Sequence, residues 1–156
     1  MWNIIFLVTG AIFIALLLII FFSKEVIDSK ENKFFKALII INMVEYCIEI
    51  PLQLFVRGLG IESIAVDIFS KLYLAAIFTW FSFFSIYTFI ICLDRKDSNK
   101  YEKNFSLIKT INLIMWVVGF IVLTILPFSK FHEGDKMYIY GGAVEALKAF
   151  LGIYMV

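Results

Sequence analysis

The stretch "FFKALIIINMVEYCIEIPLQLFV", residues 34–56, decides the fold of this chain. It is long enough to cross a bilayer, because a hydrocarbon core of about 30 Å takes roughly 20 helical residues at 1.5 Å each. Thirteen of its residues are Leu, Ile, Phe or Val, yet it also holds Asn42, Glu45, Glu49 and Gln53. Their spacing of three, four and four residues keeps these side chains within an arc of about 80° on a helix. One face is polar and the rest is apolar. On an insertion scale each apolar residue contributes roughly −0.3 to −0.6 kcal/mol, whereas an acidic residue near the centre costs about +2.5 to +3.5 kcal/mol. The two glutamates nearly cancel the apolar gain, so the helix needs helical partners, a wet cavity or protonated carboxylates.

Working outward, three more stretches have spanning length: about 3–22, 68–93 and 107–126. The chain of 156 residues is 62% hydrophobic and 18% aromatic, with a mean hydropathy of +0.94. Globular proteins carry roughly 45–50% apolar residues. The expected fold is therefore all-α: a polytopic transmembrane helix bundle forming a single domain. The first stretch lacks a basic leader and reads as a retained span, with Trp2 placed for the headgroup level. Residues 141–156 make about 24 Å of helix, short of a roughly 30 Å core, so they read as a fifth span cut short. On that reading the natural chain continues into the cytoplasm. The connecting segments, including "FSKFHEGDKM" at 128–137, are too short for folded domains.

Basic residues orient the bundle. Lys24, Lys30, Lys33, Lys36, Arg95, Lys96, Lys100, Lys103 and Lys109 flank the first and third connections, nine in all, against Arg57, Lys71, Lys130 and Lys136 at the others. An excess of Lys and Arg marks cytoplasmic loops. The expectation is a multi-pass protein of the cell membrane with its N-terminus outside.

Several functions are excluded by the same residues. A net charge of +1 with no continuous basic face argues against nucleic acid. Cys47 and Cys92 have no metal or redox spacing, and His132 sits in a loop with only Glu133 and Asp135 beside it. No catalytic motif is present, so no catalytic residue, metal or cofactor is expected in this segment.

The remaining polar residues fall on helix faces. Lys71, Ser82 and Ser85 share one face of the third span, and Gly141, Glu145, Lys148 and Gly152 fall within about 60° on the fifth. Glu45, Glu49, Lys71, Glu145 and Lys148 make up a candidate polar cluster that senses a ligand or proton from outside. A static ion-pair cluster holding the bundle together is the competing reading. Asn42, Gln53, Ser82 and Ser85 are candidates for polar helix packing. The aromatic stretch at 73–89 reads as packing and lipid contact rather than a chromophore box.

Four phrases together resemble the N-terminal membrane regions of multi-span sensor histidine kinases from Firmicutes. They are "SKENKFFKALIIIN" (29–42), "SKLYLAAIFTWFSFFSIYTF" (70–89), "LPFSKF" (126–131) and "MYIYGGAVEAL" (137–147). The family's Lys-Leu-Tyr-Leu start with a later Trp and Tyr matches Lys71, Leu72, Tyr73, Leu74, Trp80 and Tyr87, and its Tyr-x-Tyr-Gly opening matches Tyr138, Tyr140 and Gly141. The resemblance implies a membrane input module, further spans, a cytoplasmic kinase core beyond this segment and a homodimer. With no sizeable outer domain, the partners expected are the lipid bilayer and a small lipophilic ligand. A small proton-coupled transporter using Glu45 or Glu49 is the alternative from another class. A structural membrane subunit that only binds a partner is a third.

Overall fold

The computed structural model of the chain describes residues 2–23, 29–60, 62–92, 98–133 and 136–155. Lys24, Leu93, Arg95, Lys96, Asp135 and Val156, which entered the sequence reading, lie outside the described residues. The elements run α1 (Trp2–Ser23), α2 (Lys30–Leu59), α3 (Ile64–Cys92), α4 (Ser98–Ile125), β1 (Ser129–Glu133), β2 (Lys136–Tyr140) and α5 (Gly142–Met155). The fold is helical, as expected, apart from one hairpin. Glu31–Leu59, Ile64–Cys92 and Glu102–Ile125 are long and apolar enough to cross a membrane by length and composition, and Leu7–Ser23 of α1 is a shorter apolar helix.

Helix ends follow local chemistry rather than the limits of the apolar runs. α2 starts at Lys30 because Ser29 caps it, its Oγ accepting the Asn32 backbone N–H at 3.3 Å, with Glu31 in the first turn. Such a cap satisfies an N–H that the helix leaves unpaired, and the acid favours the positive end of the dipole. α4 likewise begins at Ser98, well before its apolar run, because a polar turn can be helical without being buried in lipid. Pro51 lies inside α2 and cannot donate a helical hydrogen bond.

The hairpin was not foreseen. Residues 129–140 pair as antiparallel strands with Ser129 opposite Tyr140 and His132 opposite Met137. Phe131, Tyr138, Ile139 and Tyr140 are strand formers, and two residues, 134 and 135, separate the strands. The helix that follows begins at Gly142, after Gly141 at φ +113°. A Cβ on Gly141 would meet Phe128 Cα at 3.3 Å and Pro127 O at 3.4 Å, so the close turn into α5 also requires glycine.

α3 is the central helix. It packs on α2, α4 and α5, while α1 packs on α2. Val66, Ser70, Leu74, Phe78, Ser82, Ile86 and Ile90, all four apart, are buried along it. Each step of four residues overshoots a turn by about 40°, so this stripe winds around the helix instead of holding one face. Val66 packs with Leu52 and Val56 of α2. Further along, Leu74 and Phe78 pack with Leu123 of α4 and Ala143 and Leu147 of α5. The winding lets one helix serve partners on different sides.

Candidate functional site

The α2 stripe is the first place to look. Glu45 and Glu49 are half-buried and close enough to repel one another. Tyr73 of α3 lies within electrostatic reach of Glu49, Glu45 and Tyr46. Tyr46 is set by α1, since a Cβ on Gly10 would fall 2.6 Å from the Tyr46 hydroxyl oxygen. Neither glutamate forms a salt bridge among the described residues. Two neighbouring carboxylates with phenols beside them can share a proton or receive a cationic group, and no cation among the described residues pairs with them.

The other members of the candidate cluster lie elsewhere. The Lys71 ammonium donates to the Thr124 carbonyl at 3.0 Å and stands 6.0 Å from the Phe128 ring centroid. It thereby closes a free carbonyl at the C-terminal end of α4, where a positive charge also suits the dipole. Lys148 pairs with Glu145 at 2.8 Å on the exposed surface of α5. Among the described residues no salt bridge joins Lys71 or Lys148 to Glu45 or Glu49. The structure thus gives Lys71 a partner at the end of α4, and Glu145 and Lys148 partners in each other, with no direct bond to the α2 carboxylates among the described residues.

Ser82 and Ser85 are buried at 2% and 7% exposure, as packing residues should be. Ser82 Oγ donates to Asn112 Oδ1, and Asn112 Nδ2 donates back to the Ser82 carbonyl at 3.1 Å. One turn away Trp116 Nε1 donates to Thr79 Oγ1 at 3.1 Å. Asn42 and Gln53 are half-buried on α2 and form no side-chain hydrogen bond among the described residues. Near the start of α3, Lys130 of β1 pairs with Asp67. The directional bonds between side chains therefore run along α3, α4 and the hairpin. No side-chain hydrogen bond ties residues 34–59 of α2 to α3 among the described residues.

Sequence reasoning missed Asn112, Tyr46 and Tyr73 as members of these groups. Asn112 had a readable signal, a lone amide inside "TINLIMWVV" (110–118), since a polar group in an apolar helix needs a partner. The phenols had none, because tyrosine is ordinary at both lipid interfaces and packed surfaces.

No protein-family model, curated protein or solved structure matches the chain. Among the described residues no group of three or more His, Cys, Asp or Glu is placed to hold a metal ion.

Proposed function

We propose that this chain is the membrane-embedded input region of a bacterial sensor histidine kinase, a helical bundle inserted with its N-terminus outside. Its signal passes by helix rearrangement to a cytoplasmic kinase core beyond these residues. The observation that carries the reading is the pair Glu45 and Glu49, half-buried on an apolar helix and without a salt bridge among the described residues. Ionisable groups held in lipid at such cost mark function more often than packing. The resemblance of residues 29–42, 70–89, 126–131 and 137–147 to sensor-kinase input regions supports the choice of a signalling role. Three helices of spanning length and composition support insertion.

The test uses the full-length protein in membrane vesicles, with autophosphorylation as the readout across a range of external pH. Replacing Glu45 and Glu49 together by Gln is expected to flatten the response while leaving the protein in the membrane. A full-length chain without a kinase core overturns the signalling role. The same carboxylates, without a salt bridge among the described residues, also favour the second reading of a proton-coupled transporter. Proton uptake by vesicles that is lost in the Gln variants would establish that reading instead.

A further inference from the structure

A cleft of about 350 Å³ opens between α2, α3 and α4. Its lining is Phe34 of α2, Ser82, Phe83 and Ile86 of α3, and Lys109, Asn112, Leu113 and Trp116 of α4. The volume lies in the range of about 300–1,000 Å³ usual for small-ligand sites. Phe34 forms its inner wall, with its ring centroid 6.1 Å from Phe83 and 6.2 Å from Phe105.

The polar groups in this wall divide sharply. Ser82 and Asn112 bond to one another, and the Trp116 N–H is taken by Thr79. They make no demand on an occupant. Lys109 is the single charged residue of the lining. It is exposed and forms no ion pair among the described residues. An occupant that matches this wall has a long apolar body and one anionic end.

We propose that the cleft between α2, α3 and α4 binds an anionic phospholipid of the surrounding leaflet, its acyl chain along Phe34, Phe83, Ile86 and Leu113 and its phosphate on Lys109. The inference rests on the membrane reading. Orientation agrees with the chemistry. Lys109 stands near the start of the apolar run 107–126 of α4, the side assigned to the cytoplasm, where anionic lipids concentrate and basic pockets between helices take their headgroups. Leu113 is 57% exposed beside it, so the cleft is open to the side from which lipid arrives.

Native mass spectrometry of the detergent-solubilised chain tests the site. Dioleoyl phosphatidylglycerol and dioleoyl phosphatidylcholine are supplied in equal amounts. Retention of phosphatidylglycerol over phosphatidylcholine by about five-fold is expected, the effect of one basic side chain at a lipid phosphate. Lys109→Gln should remove that preference, while Lys103→Gln, on the same helix but outside the lining, should keep it. Soluble glycerol phosphate should not compete, because it lacks the chain that fills the cleft. Equal retention of both lipids by the unaltered chain overturns the proposal. So does equal loss from the two variants, which assigns binding to diffuse charge, or displacement by glycerol phosphate. Carbonate washing of membranes separates the two levels: a chain that stays in the membrane but shows no lipid preference loses only this site. A chain released by carbonate loses the membrane reading with it.

Discussion

Phe78 shows what a single position contributes. It is fully buried, its ring centroid 5.5 Å from Phe150 and 5.7 Å from Tyr154. The ring reaches α4 at a place where no side chain stands, since a Cβ on Gly119 would fall on the Phe78 ring. Aromatic area of this size is held by close contact on all sides, and a packed core gives little when volume is added. Gly119→Ala is expected to destabilise the bundle by about 1–3 kcal/mol, read as a lower midpoint of thermal unfolding in detergent. Phe78→Leu in the same chain should return part of the loss. A Gly119→Ala variant that melts with the parent would show that the two helices do not approach here. Neither residue stood out in the sequence, because a glycine in an apolar run and a phenylalanine among many carry no mark of their meeting.

At the level of elements, the five helices were legible and the hairpin was not. Each helix contains one of the apolar runs, though its ends lie elsewhere, and such runs are the strongest signal a chain carries. Residues 129–140 are short and alternate imperfectly, and their pairing depends on strands meeting rather than on either strand alone. The serines of α3 were readable as packing groups, but their partner was not, since depth along two different helices decides which residues face. The Ser82 and Asn112 contact can be weighed by a double-mutant cycle. Asn112→Leu is expected to cost between about 0.6 and 1.7 kcal/mol, the range for hydrogen bonds between helices in lipid. In a Ser82→Ala background the same substitution should cost less. Full additivity in unfolding measurements would show that the two side chains act alone.

For the whole molecule, the hairpin joins parts that are distant in sequence. Lys130 meets Asp67 at the start of α3, and Lys71, one turn further on, meets the end of α4. This fixes where α5 begins relative to the centre of the bundle. Lys130→Met is expected to speed hydrogen exchange across residues 129–140 while leaving exchange in the middle of α3 unchanged. Uniform acceleration through all helices would mean that the pair holds the entire bundle and not only its hairpin end. The polar cluster was legible only as helix faces. Angles around a helix follow from spacing, so the four polar residues of α2 could be assigned to one face. Whether Lys71 turns toward α2 or α4 depends on which neighbour offers an acceptor, and a carbonyl at a helix end gives no sign of itself in the sequence.

The uneven distribution of directional bonds has a mechanical consequence. Ser82 with Asn112, Trp116 with Thr79, and Lys71 with Thr124 bind α3 to α4 at three depths. Any sliding of these two helices must break such bonds together, so they move as one body. Residues 34–59 of α2 face α3 through apolar side chains such as Leu52 and Val56, which pack on Val66 of α3, and surfaces of that kind can exchange neighbours without losing a bond. Among the described residues this stretch of α2 therefore meets α3 without directional side-chain bonds, and Glu45, Glu49 and Tyr73 sit beside that boundary.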